Sequence, residues 1–290
     1  MPAANGKGTE LQIYEKLILA NLKGMDAEKG LCFAKSFTFK PSDIILCSYP
    51  KCGYHWMNNM IWRLKSHDTS KQPMDTTLEY IQPEALGAQE EPRVLHTHLK
   101  PVHIPHIQQH VKSVVLFRNP KDVLVSDFYY LRNSAANCNG QTFEEFYQSF
   151  MSGYVPHGSY FEYLRQLDNA LSDIGNNASG AKTEVFYFED FVLDPANSLK
   201  RLNAYLDFQR DDEYLKNVLR ATTMDALKQQ DLSDNSHVHF SVKDKEGNSV
   251  IYRKGKIGDW RNHLTIGQRE QIDDVLRDLQ LRNIQIKYDM

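Results

Sequence analysis

A chain of 290 residues with 41% hydrophobic and 24% charged residues has the composition of an ordinary globular protein, long enough for one large α/β domain or two small ones. A formal net charge of −3 argues against a dedicated nucleic-acid binder, and no apolar run reaches the roughly 18 residues that a membrane span needs. Cys32, Cys47, Cys52 and Cys138 show no paired spacing and the polar start lacks the apolar core of a signal peptide, so the expected setting is reducing and cytoplasmic.

In chain order, residues 1–9 read as a disordered tail and 10–290 as one domain. Leu11, Tyr14, Leu17, Ile18 and Leu22 fall at helical spacing, and the piece around Phe33–Phe39 reads as a hairpin or irregular segment. Ile44 to Cys47 is a short apolar run broken at Pro50 and Gly53, as in a strand buried on both faces. From Trp56 the apolar residues Met57, Met60, Ile61 and Leu64 recur with helical period. Arg93–Leu99 is a second strand and Ser113–Phe117 a third, followed at once by Asn119-Pro120, an N-cap and first helical residue. Thr142 to Glu145 fits a capping box, with the aromatic faces Phe143/Phe146/Tyr147/Phe150 and Tyr160/Tyr163 behind it expected in the core. Glu184–Phe188 is a fourth strand, and Asp194-Pro195 starts a further helix. Lys228–Tyr252 is polar and aperiodic, read as a mobile flap, and Ile266–Leu281 closes the chain as a helix. Strands alternating with helices imply an α/β fold: one domain with a central, mainly parallel sheet flanked by helices.

Three basic segments fall at strand or loop ends, where such sheets bind ligands: Lys51-Cys-Gly53, Arg118 with Ser126 in the helix after it, and Arg253-Lys-Gly255. A lysine and glycine between strand and helix make an anion cradle, although an ordinary turn with a surface lysine reads similarly. His96 and His98 alternate onto one face of a strand near His103, His106 and His110. No cysteine or carboxylate completes a metal set at familiar spacing, so no metal is expected.

Tyr49-Pro-Lys-Cys-Gly-Tyr-His-Trp56, Phe117-Arg-Asn-Pro-Lys-Asp-Val-Leu-Val-Ser126 and Arg253-Lys-Gly-Lys-Ile-Gly-Asp-Trp260 resemble, in order, the signatures of the cytosolic sulfotransferases. The resemblance implies a five-stranded parallel sheet related to nucleotide kinases. It also implies transfer of a sulfuryl group from 3′-phosphoadenosine 5′-phosphosulfate (PAPS) to a hydroxyl or amine of a small acceptor, leaving adenosine 3′,5′-bisphosphate (PAP). By motif position Lys51, with the loop Cys52, Gly53, Tyr54 and His55, would meet the 5′-phosphosulfate. Arg118, Ser126, Arg253, Lys254 and Gly255 would hold the 3′-phosphate, and Trp56, Thr222 and Met224 would flank the adenine. Phe188 stands where the family has a donor-site tyrosine, and His98 would be the general base. The acceptor, a phenol, sterol or other hydrophobic alcohol, would meet Phe39, Phe128, Tyr154 and Phe240. The stretch from Arg261 through Thr265 and Ile266 to Glu270 is similar to the family's dimerisation motif, while also reading as a charged helix start.

The chain departs from the family pattern at five positions. Cys52, Tyr54 and His55 replace a serine and two threonines, His96 a lysine, and Phe188 a tyrosine. These departures motivate the alternative of a nucleotide- or ligand-binding protein of the same fold with little turnover. A nucleotide kinase is disfavoured by the loop spacing.

Overall fold

The computed structural model describes residues 11–14, 17–20, 27–74, 76–80, 86, 89–104, 111–133, 141–176, 182–233 and 249–287. In chain order these form β1 (Leu11–Tyr14), β2 (Leu17–Ala20), α1 (Ala27–Ser36), β3 (Ile44–Ser48), α2 (Tyr54–Ser66), β4 (Val94–Thr97) and β5 (Lys112–Phe117). Then follow α3 (Pro120–Asn133), α4 (Phe143–Ser152), α5 (Tyr160–Asn176), β6 (Lys182–Tyr187), α6 (Phe188–Leu193), α7 (Pro195–Leu206), α8 (Asp212–Ala221), α9 (Met224–Ser233) and α10 (Ile266–Asp278). The tail expected at residues 1–9 lies outside the described residues.

The central sheet is parallel, in the order β4-β3-β5-β6. Ile44 pairs with Val94 on one side and Lys112 on the other, and Lys112 pairs in turn with Lys182. Every residue of β3 is buried, as a strand covered on both faces requires. Among the described residues the sheet has four strands rather than the five the resemblance implies. A single parallel bridge, Thr77 to His96, occupies the edge beside β4, because only Thr76 to Leu78 reaches ladder geometry there.

Two other expectations change. The segment Leu11 to Leu22 contains an antiparallel hairpin in which Ile13 pairs with Ile18, not a helix. Its apolar residues fit a helical period, but Leu11/Ile13 and Leu17/Leu19 also alternate, and short runs satisfy both patterns. The piece around Phe33 belongs to α1, which ends at Ser36 before Phe37 and Phe39 meet edge to face. The expected flap begins late, since α9 runs to Ser233, and its middle lies outside the described residues.

The helix signals hold. Thr142 and Glu145 close a reciprocal capping box, and Phe146, Tyr147, Phe150, Tyr160 and Tyr163 are buried in the core. Asn119 caps α3 by accepting from the Lys121 amide at 3.0 Å.

The order places β3 and β5 side by side although they are not consecutive, so chain connections leave this pair in opposite directions. Ligands bind at such a switch point, and the loops after β3 and β5 carry Lys51 and Arg118. At the opposite edge Arg93 grips the buried Asp43 with two bonds, Nε to Oδ1 at 2.8 Å and Nη2 to Oδ2 at 2.6 Å, joining the starts of β3 and β4. Asp43→Ala would leave that guanidinium without its carboxylate, and urea denaturation is expected to show a loss of about 3–5 kcal/mol, whereas breaking the exposed Lys40–Glu91 pair should change stability little.

Candidate active site

β3 ends at Ser48 and the chain turns through Lys51 and Gly53 into α2. Lys51 has φ 67° and Gly53 φ 105°, left-handed geometry that a short strand-to-helix loop demands. A Cβ at Gly53 would stand 2.8 Å from the Phe188 ring, so only glycine lets α6 close over the loop. Lys51, Gly53, Tyr54, His55, Trp56, Arg118, Ser126, Phe188, Met224, Arg253, Lys254, Gly255 and His98 all border one cleft of about 1330 Å³, its mouth included.

Arg118 leaves the end of β5 and donates through Nη1 to the Lys51 carbonyl at 3.0 Å and through Nη2 to the Lys256 carbonyl at 3.3 Å. Its plane lies 4.2 Å from the centre of the Phe188 ring, and its buried Nε has no hydrogen-bond partner among the described residues. Arg253 and Lys254 each reach Asp259 at 2.7 Å. Burial works against the Asp259 charge, but the hydrogen bonds from Lys254 and Arg253 hold the carboxyl well below the usual carboxylate range. Asp122 of α3 accepts from the Gly258 and Trp260 amides at 2.7 and 3.2 Å, fixing this basic turn to the start of that helix. Gly255, at φ 63°, presses so closely on Met224 that a Cβ would lie 2.7 Å from its sulfur.

Lys51 places its ammonium 3.9 Å from the centre of the Tyr130 ring. Asp127, absent from the sequence expectations, shares the cleft. Burial pushes the Lys51 ammonium down and the Asp127 carboxyl up, and their mutual attraction partly offsets both.

His98 stands just beyond the end of β4. Its Nδ1 lies 2.7 Å from the Ser48 carbonyl, which can only accept, so Nδ1 carries the proton and Nε2 the lone pair. Its backbone amide donates to Glu79 at 2.7 Å. The tautomer needed of a base is therefore set by the backbone of the neighbouring strand.

Several expected site residues sit elsewhere. Cys52 lies in the loop but its side chain is fully buried against the Tyr160 hydroxyl, away from the cleft, and burial pushes its thiol up to about 12. Thr222 is buried behind Trp56, whose indole Nε1 donates to its carbonyl at 2.9 Å. Of the acceptor residues expected, Phe39, Phe128 and Tyr154 do not border the cleft: Phe128 packs in the core on Phe143 and Phe146, Phe39 meets Phe37 edge to face, and Tyr154 is 58% exposed. Phe240 lies outside the described residues. Phe128 faces inward because the same turn of α3 turns Asp127, Tyr130 and Leu131 to the cleft. Tyr80, Pro156, His157, Ile251 and Tyr252 complete the wall. Their positions follow from loops folding over the sheet, and only Ile251 and Tyr252 fall in a segment, Lys228–Tyr252, that the sequence marked as part of a flap.

The departures from the family pattern turn out to be linked. Tyr54 stacks on His96 with ring centres 3.4 Å apart and 13° between planes. His96 is buried, its Nε2 3.2 Å from the Ser48 hydroxyl and its Nδ1 3.0 Å from the Thr77 hydroxyl. The ring that replaces a threonine thus covers the ring that replaces a lysine. Among the described residues no group of histidine, cysteine or acidic residues has a metal-binding arrangement.

A parallel sheet with an anion cradle at its switch point, faced by a histidine of fixed tautomer, defines a group-transfer enzyme for a phosphate-bearing donor. The chain matches the sulfotransferase domain over residues 41–284. It is 28% identical to sulfotransferase 6B1 of Danio rerio over 83% of this chain and 79% of that protein, and 26% identical to human sulfotransferase 1C2 over 84% of each. The structure of mouse sulfotransferase SULT7A1 complexed with PAP is similar with a TM-score of 0.79 and 26% identity, covering 95% of this chain and 96% of that one. Retinol dehydratase, solved with androsterone and PAP, shares the fold at a TM-score of 0.73 and 18% identity. The chain belongs to the sulfotransferase family.

One acid of the site gives a pH test. Glu189, buried beneath the cradle, accepts from the Asn119 amide at 2.8 Å, yet burial raises its carboxyl to about 7. An acid whose folded pKa exceeds its unfolded one keeps its proton longer in the native state. Its stabilising effect is full below the unfolded value, near 4.5, and is lost as pH rises through about 7. Glu189→Gln keeps an oxygen for Asn119 without the charge. Thermal unfolding should show it gaining on the wild type between pH 5 and 8, by on the order of 1–3 kcal/mol.

Proposed function

We propose that the cleft binds PAPS and transfers its sulfuryl group to a hydroxyl or amine of a small hydrophobic acceptor, with His98 as general base. The observation that carries this reading is the meeting, in one cleft, of the Lys51, Arg118, Arg253 and Lys254 cations with an imidazole whose Nδ1 is engaged by a backbone carbonyl. The residues suit the donor. Arg118 has a buried Nε still without a partner among the described residues, and the glycines at 53 and 255 bring backbone close to the cleft. Arg118, Ser126, Arg253, Lys254 and Gly255 are assigned the 3′-phosphate. Trp56, Phe188 and Met224 supply flat and polarisable walls for the adenine, with Thr222 holding the Trp56 indole.

PAPS supplies an activated sulfuryl group on a phosphate leaving group. In this reading His98 Nε2 takes the proton of the acceptor hydroxyl as its oxygen attacks sulfur. Lys51 and the amides at the start of α2 stabilise the negative charge that builds on the departing phosphate oxygen. Burial eases Lys51 toward giving up a proton, which suits it to neutralise that oxygen. The cleft walls Tyr80, Tyr130, Leu131, Pro156, Ile251 and Tyr252 orient the acceptor and exclude water, and their aromatic character favours a phenol, sterol or related alcohol. The mouse relative's complex with PAP and the family membership support the donor assignment.

The setting is read as cytoplasmic; among the described residues no helix is long and apolar enough to cross a membrane. Homodimerisation through Arg261, Thr265, Ile266 and Glu270 is favoured by Ile266, an apolar side chain 71% exposed at the start of α10. So small a patch makes a weak interface.

Calorimetry should show PAP binding far more tightly than adenosine 5′-monophosphate, at about 1.5–3 kcal/mol for each charge-assisted bond to the 3′-phosphate; equal affinities would remove the assignment of Arg118 and the 253–255 turn. With radiolabelled PAPS and a panel of phenols, sterols and amines, His98→Ala should lower turnover by about 10²–10⁴-fold while PAP affinity stays unchanged. Wild-type turnover in that variant would refute the base.

A further inference from the structure

His98 is held between two other imidazoles. The His96 ring meets it at 4.2 Å with planes 87° apart, and the His157 ring meets it at 5.1 Å and 71°. Both neighbours are buried, His96 fully and His157 to 6% exposure, whereas His98 itself is only half-buried. Each neighbour is anchored from a different part of the chain. His96 sits between the hydroxyls of Ser48 and Thr77 and under the Tyr54 ring. His157 has Nε2 2.9 Å from the Tyr80 hydroxyl, while its buried Nδ1 has no hydrogen-bond partner among the described residues.

The backbone at His157 is itself unusual. His157 has φ 68° and Gly158 φ 73°, consecutive left-handed residues of which one carries a large ring. Such geometry costs energy for a residue with a Cβ and persists where the surroundings over-determine it. Here the Gly158 carbonyl accepts from the buried Tyr49 hydroxyl at 2.7 Å, and the Gly158 amide donates to the Val155 carbonyl at 2.9 Å. The turn is pinned on both sides, and its consequence is to press the His157 ring against His98.

We propose that His157, set by Tyr80, and His96, set by Ser48, Thr77 and Tyr54, are positioning residues that clasp the His98 imidazole edge-to-face and hold it at one orientation for proton transfer. The clasp rests on the reading of His98 as base. The Ser48 carbonyl alone fixes one ring nitrogen but leaves the ring able to swing about that bond, and two perpendicular neighbours remove the swing. A base displaced by about 1 Å can cost ~10²-fold in rate, so the restraint matters to turnover rather than to binding.

The clasp also decides which of the three rings takes the proton. Burial first, and then the nearness of His98, pushes His96 and His157 well below the usual imidazole range; His55 adds to this at His96 and Lys100 at His157. The other groups facing His98 are Tyr54 from α2, edge-on at 5.8 Å, and Glu79, which accepts from the His98 amide. A charged His157 would bury an Nδ1–H with nothing to receive it. The proton leaving the acceptor oxygen is therefore confined to His98, where the flanking rings meet the forming imidazolium with edge-to-face geometry.

Tyr80→Phe and His157→Asn test this, asparagine being tolerant of left-handed φ and the phenylalanine change removing one oxygen only. Each should lower kcat by about 10-fold or more, leaving PAP affinity and the KM values for donor and acceptor within about twofold. The double variant should be no slower than His157→Asn alone, because Tyr80 acts through His157. Nitrogen-15 spectra of the histidines should show His96 and His157 taking up a proton only well below the pH at which an ordinary imidazole does. Full kcat in both single variants, a loss carried by acceptor KM instead of kcat, or an ordinary titration of His157 would overturn the clasp. If His98→Ala abolishes turnover while both single variants keep full kcat, the clasp alone fails. If His98→Ala keeps turnover, the base reading fails first.

Discussion

Arg118 donates to a carbonyl in the loop after β3 and to another in the basic turn at 253–256, while standing at the end of β5. These three segments come from distant parts of the chain, and each contributes cations to the same cleft. Without a bridging donor, Lys51, Arg253 and Lys254 would repel one another across an open edge. Arg118 adds a further positive charge, yet it spends its hydrogen bonds on backbone oxygens and so orders the loops that carry the others. Asp259 and Asp122 complete the arrangement from below, one pairing the two turn cations and the other receiving the turn's amides. The cradle is thus held together by Arg118, which itself borders the cleft, and by two carboxylates set behind it.

On the acceptor side the same economy appears in neutral groups. The Ser48 carbonyl, left over where β3 ends, sets the tautomer of His98, and the Ser48 hydroxyl meets His96. Because β3 and β4 pair in parallel, Cys47 stands opposite Thr97, which puts the last residue of one strand within reach of the first residue beyond the other. Strand register is therefore what brings a backbone acceptor to the imidazole. The exchange of a lysine for His96 removes a charge from this corner, and the exchange of a threonine for Tyr54 covers the ring that replaced it. Taken singly each substitution weakens the family pattern; stacked together they make an aromatic floor beneath His98.

Much of the architecture was legible in the residues. The buried run Ile44 to Cys47, the helical period from Trp56, the cap at Asn119 and the capping box at Thr142 rest on local rules, and the structure keeps each of them. Lys51, Arg118 and Arg253 could be named for a related reason: they stand at strand or loop ends, where a parallel sheet binds ligands, while Ser126, two turns into α3, and His98 were matched through the family resemblance. The first hairpin is not legible, because eight residues of alternating and periodic apolar character satisfy two templates at once.

What the sequence determined by itself was the α/β class and the strand–loop–helix unit that carries Lys51 and Gly53, since each depends on residues close together in the chain. Tertiary structure alone decided which aromatic rings line the cleft and which fill the core. Phe128 and Tyr130 lie two residues apart on α3, about 200° around the helix, and one packs on Phe143 while the other borders Lys51. It also decided that Tyr54 and His96, 42 positions apart, would stack, and that His157 would arrive beside His98 from a turn 59 residues away. These contacts depend on how loops cross the end of the sheet, and no local period or propensity encodes a crossing.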